Sequence, residues 1–452
     1  MKKVCFVFFA LFLVAILFSN ETQVTIYNNN FSLIRTKLEL GLKAGLQDYY
    51  YENIPNTIDA KSVILDSQNN SLQIFSQNYE FDLANTEQIM QKYIGEDVII
   101  QTEEEYYLEG ILQFTDSKTI GVLENSSKKL ILINRSTIRN ITLAKLPDNF
   151  YLKPTLRWKL YAPKKAKYKA NISYLCDGLS WDVDYNCIWN PETKKLDINS
   201  WVTIKNYSGK KFENVKLKLM AGDVNKTISP QHAKSLARVA MYDSNVDMAL
   251  EAPPEFNEKS FNDFHLYTLD QNVSIANKQI KQIQLFPSKI VKAEQSNRYN
   301  TFSNKIISQI KFKNDEASGL KLPLPKGRIK IYQEDKADKS LQFIGEDRIK
   351  HTAVNQEVVV TIGNAFDLVG KTEQLEYKKI DRKLIQKKMR VSLENQSKET
   401  KEIEVIHNIS GDWTILNNNI NYKKINAHQI KFIVSIKAGG KQIINWSERI
   451  KN

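Results

Sequence analysis

Hydrophobic and polar residues alternate with a period of two along most of the chain, the pattern of β-strands with one buried face. These runs are separated by Asn, Gly, Asp and Ser, residues that favour turns. Residues 23–40, QVTIYNNNFSLIRTKLEL, for example, predict two strands around an asparagine turn. The chain of 452 residues is too long for one core. We therefore predict an all-β, multidomain protein built mainly of β-sandwiches.

One early segment has a helical period instead. Residues 85–95, NTEQIMQKYIG, place apolar side chains on one side of a helix between a capping residue and Gly95. About five short strands with tight turns follow this helix. Such a run predicts a small closed barrel of the SH3 type over residues 85–147.

The remaining strand runs suggest three further units. Residues 21–84 predict an N-terminal β region, residues 148–375 a β-sandwich core, and residues 376–452 a C-terminal sandwich of the immunoglobulin or fibronectin type. The alternation fails over residues 226–262, which include Pro253-Pro254. We expect an inserted helix and a mobile loop there. No internal repeat is apparent in the sequence.

The first twenty residues have the pattern of a signal peptide. Lys2 and Lys3 precede an unbroken apolar run from Val4 to Phe18, which is shorter than a typical spanning helix. We therefore expect residues 1–20 to direct export to the periplasm or cell surface. An uncleaved N-terminal anchor is the alternative. No later apolar run is long enough to span a membrane, so no transmembrane span is expected after signal cleavage.

The formal net charge of +13 has two interpretations. It favours attraction to an anionic envelope polymer or to lipid head groups, or it reflects lysines spread over every solvated face. In the sequence the lysines are scattered and do not cluster with aromatic residues. Together with the expected export, this argues against a nucleic-acid partner. The oligomeric state is not determined by these patterns.

Cysteine and histidine give little sign of metal or redox chemistry. A hairpin turning at Asp177-Gly178 would place Cys176 and Cys187 too far apart for a disulfide, so two buried thiols are expected. The five histidines form no HExxH or HxH pattern, and there is no CxxC pair. We therefore expect no metal site and no cofactor.

Residues 180–187, SWDVDYNC, resemble the start of a calcium-binding EF-hand loop at first sight. That loop needs glycine at its sixth position and glutamate at its twelfth, but these positions hold Cys187 and Thr193. The alternation predicts a strand instead, with Trp181 on the core face and Asp182 and Asp184 on the outer face.

Two groups of residues are candidate acid–base sites. Asp182 and Asp184 lie two residues apart on one strand face, at a spacing that an inverting glycosidase could use. Asp347 and His351, in GEDRIKHT, could form a polar cluster with Asp367 and Arg348. In each case the alternative is a structural role: a solvated strand face for the first pair and a polar network that pins a loop for the second group.

Several phrases together resemble an exported bacterial family called domain of unknown function 4139, some members of which are described as similar to mucoidy inhibitor A. The phrases are SYLCDGLSWDVDY, WVTIKNYSGKKFENVKLKLMAGDVN, FHLYTL, LPLPKGRIKIY, FIGEDRIKHT, GNAFDL and SGDWTIL, in that order between about Leu156 and Trp446. The family has no established activity, so the resemblance implies no catalytic residues. The positions that its motifs highlight are Gly178, Trp181, Asn206, Gly209, Gly222, Asp223, Gly345, Glu346, His351, Phe366 and Asp367. Turns explain Gly178, Gly209 and Gly222 as structural residues, and core packing explains Trp181.

These observations favour a non-enzymatic binding or scaffold protein of the cell envelope. Its partner would be an envelope polymer or another envelope protein. The alternative is a hydrolase that acts on envelope glycans through the carboxylate and histidine groups named above.

Overall fold

The structure, a computed structural model, describes residues 21–67, 71–81, 86–143, 151–226 and 254–451. Within these ranges the chain is almost entirely β, which confirms the predicted all-β class. No helix in the described ranges is both long and apolar enough to cross a membrane. The predicted signal peptide lies outside the described residues, as does most of the predicted insertion, residues 227–253.

The N-terminal strands are β1 Thr22–Tyr27, β2 Phe31–Leu42, β3 Gly45–Tyr51, β4 Ile64–Ser67 and β5 Gln73–Glu80. The predicted short helix follows as α1 Thr86–Lys92. The next strands are β6 Asp97–Thr102, β7 Tyr107–Thr115, β8 Thr119–Glu124, β9 Leu130–Asn134 and β10 Ile138–Leu143.

The strands from β6 to β10 form one antiparallel sheet in the order β10-β6-β7-β8-β9. Among the described residues no ladder joins its two edge strands, so the expected closed barrel is not observed. A 3-10 turn of three residues, Arg135–Thr137, connects those edge strands, and so short a link spans only about 10 Å. The sheet must therefore curl strongly, and α1 packs Met90 into its core.

The central strands are β11 Thr155–Ala162, β12 Ala166–Asp177, β13 Leu179–Asn190, β14 Lys195–Asn206, β15 Phe212–Ala221, β16 Phe256–Phe261, β17 Phe264–Leu269, β18 Val273–Ile275 and β19 Gln279–Asn300. The later strands are β20 Ile306–Lys313, β21 Gly327–Glu334, β22 Leu341–Ile349, β23 Glu357–Asn364, β24 Leu368–Asp381, β25 Leu384–Asn395, β26 Lys401–Asn408, β27 Asp412–Asn418, β28 Tyr422–Asn426, β29 Gln429–Ile436 and β30 Lys441–Lys451.

Two sandwiches share a sheet of ten strands. In the first sandwich, the sheet β16-β17-β15-β1-β2-β12-β4, with β18 beside β15, packs on β22-β21-β13-β14 and the first part of β19. In the second, the end of β19 and the start of β20, with β26, β29 and the edge strand β28, pack on β24-β25-β30-β27. The rest of β20 and β23 add Ile310, Phe312, Val358 and Val360 to the first core. A small sheet, β3-β11-β5, adds Trp158 to the first core. Strand β19 contributes Val291 to the first core and Tyr299 to the second.

The two sandwiches repeat one topology. In the first, β1 runs parallel to β15 and antiparallel to β2, β2 pairs with β12, and the hairpin β13–β14 pairs with β19. In the second, the end of β19 runs parallel to β26 and antiparallel to β20, β20 pairs with β23, and the hairpin β24–β25 pairs with β30. The sequence shows no repeat, but the strand topology does, and β19 belongs to both copies.

The same buried asparagine corner occurs in both copies. After β14, the Asn206 amide donates to the backbone oxygens of Lys210 and Ala276 and accepts from the amide and hydroxyl of Ser208. After β25, Asn395 makes the equivalent bonds to Glu399, Lys437 and Ser397. Each corner ties the turn between two sheets to the start of the strand that follows.

The end of the predicted insertion is ordered. Residues 256–261 form β16, which pairs with β17 at the edge of the first sandwich, and not a mobile loop. Its side chains are mostly exposed on both faces, so the strand carries no alternating pattern that could have predicted it. Cys176 and Cys187 are buried and free, as expected from the hairpin geometry at Asp177-Gly178.

Candidate functional site

A groove of about 890 Å³ opens at one end of the first sandwich. It lies where β13 and β21 begin and where β14 and β22 end, beside the β1–β2 turn and the residues after β15. Its charged and polar lining residues are Asn28, Asp182, Asp184, Lys205, Asp223, Lys326, Arg328, Arg348, Lys350 and His351, with Trp181 beneath them. The groove thus joins the first candidate pair to His351 of the second group.

Strand β13 fixes the orientation of the first pair. Trp181 is 2% exposed and packs in the core, so Asp182 and Asp184 must face outward. Gly178 makes the preceding turn with a φ of +85° and no room for a side chain against Tyr207. Gly209 and Gly222 also have positive φ at turns. Asn28 reaches over from the β1–β2 turn and donates to the backbone oxygen of Trp181 at 3.2 Å.

Asp184 is held by two partners and is only partly solvated. The parallel pairing of β13 with β21 sets Asp184 opposite Arg328, whose guanidinium contacts Oδ1 at 2.9 Å. The hydroxyl of Thr203 donates to Oδ2 at 3.2 Å. The Asp184 side chain is 15% exposed. Its hydrogen bond and negative charge raise the pKa of Arg328. The outer face at this position is therefore an ion pair and not a freely solvated carboxylate.

The other two carboxylates of the groove are also paired. Lys205 lies 3.4 Å from Asp182, and Lys326 lies 2.6 Å from Asp223. The hydrogen bond and the charge of Lys326 lower the pKa of Asp223. Each acidic group that lines the groove therefore has a basic partner.

Two cations of the groove have no such partner. Arg348 and Lys350 project from the end of β22, and in the described part of the chain neither side chain forms a hydrogen bond or an ion pair. The groove therefore presents two exposed positive groups beside three neutralised carboxylates.

His351 is a neutral imidazole in this setting. The backbone N–H of Lys326 donates to Nδ1 at 3.2 Å, which leaves the ring proton on Nε2. Burial and the positive charge of Lys326 lower the pKa of His351 below its ordinary value of 6.5, so the ring is uncharged at pH 7.

The second group of candidate residues does not come together. Asp347 accepts from the backbone N–H of Thr361 at 2.8 Å and so holds β22 beside β23. Asp367 is exposed at the start of β24. Within the described ranges no hydrogen bond or ion pair joins Asp347, His351 and Asp367. Asp347 lies within β22 and faces β23, whereas His351 follows the end of β22 and lines the groove.

Pattern reasoning missed the basic half of the groove. Lys205, Lys326 and Arg328 lie in phrases, WVTIKNYSG and LPLPKGRIKIY, that serve above only for the family resemblance. The alternation of KGRIKIY places Arg328 on the outer face of β21, but no local signal says that β21 pairs with β13.

A buried polar cluster in the second sandwich was also missed. His407 donates to or accepts from Thr301 through Nδ1 at 2.8 Å and contacts Glu448 through Nε2 at 2.9 Å. The indole of Trp446 donates to the same carboxylate at 3.0 Å. His407 and Glu448 are buried, and Glu448 joins β30 to β26 across the two sheets. The cluster therefore links the sheets as a structural element.

Comparison with protein-family models and with curated proteins gives no match to this chain. Among the described residues, no three His, Cys, Asp or Glu side chains are grouped so that they could hold a metal ion.

Proposed function

We propose that the chain is an exported, non-enzymatic binding or scaffold protein of the cell envelope, and that the groove binds an anionic group of its partner. The apolar N-terminal run supports export, and the two sandwiches provide a rigid platform for a site at their loops. The partner would be an acidic envelope polymer or an acidic segment of another envelope protein.

The observation that carries this proposal is the unequal pairing of charges in the groove. Asp182, Asp184 and Asp223 each have a basic partner, whereas Arg348 and Lys350 have none. Carboxylate or phosphate oxygens of a ligand would accept charge-assisted hydrogen bonds from these two unpaired cations.

The hydrolase alternative has less support from the same geometry. A general acid needs a carboxyl group that is protonated near neutral pH, and an unpaired apolar setting provides one. Asp184 lies instead against Arg328, and the pKa of Asp223 is lowered. Asp347 and Asp367, the other carboxylates considered for this role, do not line the groove.

The proposal can be tested by titrating the purified protein with polygalacturonate, a carboxylated polysaccharide, and with neutral dextran. We expect binding to polygalacturonate only. Arg348→Ala with Lys350→Ala should weaken it by roughly a hundredfold or more, because each of the two charge-assisted bonds contributes about 1.5–3 kcal/mol. The charge-matched control is Lys164→Ala with Lys165→Ala, two exposed lysines in the β11–β12 turn.

The opposite outcomes are equally clear. Equal binding by the groove variant and the control would show that the groove is not the site. Release of reducing ends from polygalacturonate, lost in Asp184→Asn, would favour the hydrolase instead.

A further inference from the structure

The far end of the β24–β25 hairpin carries a dense group of positive charges. Within residues 374–388, here called the hairpin tip, six cations lie on or beside the turn between the strands: Lys378, Lys379, Arg382, Lys383, Lys387 and Lys388. Neighbouring β30 adds Arg449 opposite Gln386 and Lys451 opposite Leu384. The exposed acidic residues at this end are Glu376, Asp381 and Asp412, and the buried Glu448 lies opposite Lys387.

These charges are not neutralised within the protein. In the described part of the chain none of the six cations forms an ion pair, although the charge of Lys387 contributes to the lowered pKa of Glu448. The nearest paired lysine on β24 is Lys371, which contacts Glu373. The tip therefore has a strong local positive field.

Large apolar side chains are exposed among these cations. Leu375 is 41% exposed, Tyr377 is 56% exposed and Ile380 is 45% exposed. The strand register shifts at Leu375 and again at Ile380, so two β-bulges occur in the tip. The sequence suggested no cluster of lysines with aromatic residues, but the hairpin brings one together around Tyr377.

Protection of an edge strand explains only part of this arrangement. β24 is the edge of its sheet, and lysines and bulges are common devices that keep edge strands from pairing with other chains. Exposed leucine, tyrosine and isoleucine have the opposite effect, because they promote such pairing. A partner that is both negatively charged and apolar would match this combination of side chains.

We propose that the hairpin tip docks the protein on an anionic lipid surface. The cations face the lipid phosphates, and the three apolar side chains enter the boundary between head groups and acyl chains. A soluble acidic polysaccharide would complement the charges but offers no apolar layer for Leu375 and Ile380. This surface lies on the second sandwich and does not depend on the function proposed for the groove.

The test is co-sedimentation of the purified protein with vesicles of phosphatidylcholine, with and without 30% phosphatidylglycerol (about one lipid in three). We expect binding only with the anionic lipid, and a fall in affinity as salt rises because exposed charges are screened. Each Lys or Arg near such a surface contributes about one factor of five in affinity. The variant Lys378→Ala, Lys379→Ala, Arg382→Ala and Lys383→Ala should therefore bind roughly 100- to 1,000-fold more weakly.

The matched control removes four exposed lysines of the first sandwich and its neighbouring turns: Lys43, Lys61, Lys164 and Lys165, each changed to Ala. It should bind anionic vesicles as the original protein does within about threefold, since only distant charge is lost. A second variant, Tyr377→Ser with Ile380→Ser, keeps every cation. At high salt, where charge attraction is screened, the residual binding of the original protein depends on apolar insertion. This variant should lose that residual binding, so it distinguishes apolar insertion from charge attraction.

Three results would overturn the proposal. The first is that the original protein binds equally to vesicles with and without anionic lipid. This comparison uses no variant, so it remains decisive even if the quadruple variant aggregates. The second is that a monomeric quadruple variant binds as tightly as the control. The third is that the tip variants lose binding to polygalacturonate while the original protein ignores vesicles, which would identify a soluble polyanion as the partner.

Discussion

Trp181 and Asp184 lie on opposite faces of β13 and stabilise the fold by different means. Trp181→Ala removes a buried side chain, so we expect the free energy of unfolding to fall by about 3–5 kcal/mol. Asp182→Asn should change it by less than about 0.5 kcal/mol, because Asp182 and Lys205 are both exposed. Asp184→Asn should cost roughly 1–2 kcal/mol, since it keeps the contact with Thr203 but removes the charge beside Arg328.

Urea denaturation of the three variants, followed by circular dichroism, would check this order. If Asp182→Asn proved as damaging as Trp181→Ala, the assignment of the two strand faces would be wrong. The burial of Trp181 was predictable from alternation alone. The partner of Asp184 was not, because Arg328 lies 144 residues further along the chain.

Glu448 should make stability depend on pH in the acid range. Burial acts to raise the pKa of Glu448, but the hydrogen bond and charge of His407, with the indole of Trp446, outweigh it and hold the pKa below the ordinary 4.5. A carboxyl group with a lowered folded pKa stabilises the protein above its unfolded pKa, and this contribution is lost as pH falls through the folded value. The stabilisation should therefore be complete above about pH 4.5 and decline below it.

Glu448→Gln removes that titration but keeps an oxygen that can accept from Trp446. We expect the original protein to be more stable than the variant at pH 6, and the difference to narrow as pH falls below about 4.5. Free energies of unfolding from urea titrations between pH 3 and pH 7 would measure it. A difference that stays constant over this range would mean that Glu448 is not the titrating group.

At the scale of single elements, strands were predictable where one face is buried and the other is exposed to solvent. The strand β13 and the helix α1 follow directly from their periods. Strand β16 was missed because it lies at a sheet edge with both faces exposed. The five strands of the sheet β10-β6-β7-β8-β9 were predictable, but its open edges were not, because closure depends on curvature that a local pattern does not contain.

The asparagine corners at Asn206 and Asn395 should be among the most sensitive polar positions. Each side chain is buried and satisfies several backbone groups at a turn between two sheets. Alanine at either position leaves those groups unpaired, and each costs about 1–3 kcal/mol when buried. We expect Asn206→Ala and Asn395→Ala each to lower the free energy of unfolding by about 3 kcal/mol or more.

Thermal and urea denaturation would test both variants against Asn257→Ala, an exposed asparagine on β16 that should change stability by less than about 0.5 kcal/mol. A corner variant as stable as this control would show that the turn is held by other contacts. The repeat was invisible in the sequence because the two corners share little beyond Asn-x-Ser, NYS at 206–208 and NQS at 395–397.

At the scale of the whole molecule, the groove exists because distant strands meet. Asp182 and Asp184 lie on β13, and His351 follows β22. These residues line one groove only because β21 pairs with β13 on one side and with β22 on the other. Strand partners of this kind follow from the packing of both sheets, which no single segment encodes. The candidate residues could therefore be proposed from the sequence, but their grouping could not.

The shared strand β19 should make the two sandwiches open together. It pairs with β14 up to Lys292 and with β20 from Ala293, so a single strand runs through both sandwiches. Strands β20 and β23 also bury Ile310 and Val360 in the first core, which ties the second half of the shared sheet to the first sandwich. We therefore expect backbone amides of β13–β14 and of β25–β30 to exchange hydrogen with opening free energies that agree within about 1 kcal/mol. The sheet of β6 to β10 has its own core and should open at a lower free energy.

Hydrogen exchange on two variants tests this coupling. Arg298 lies on β19 between β20 and β26, so Arg298→Pro removes a ladder N–H from the second sandwich. We expect it to lower the opening free energy of β13–β14 as well, although position 298 pairs only within the second sandwich. Lys423→Pro, on the edge strand β28, is the control and should leave β13–β14 unchanged. If Arg298→Pro affects only β25–β30, the two sandwiches open independently and β19 merely connects them.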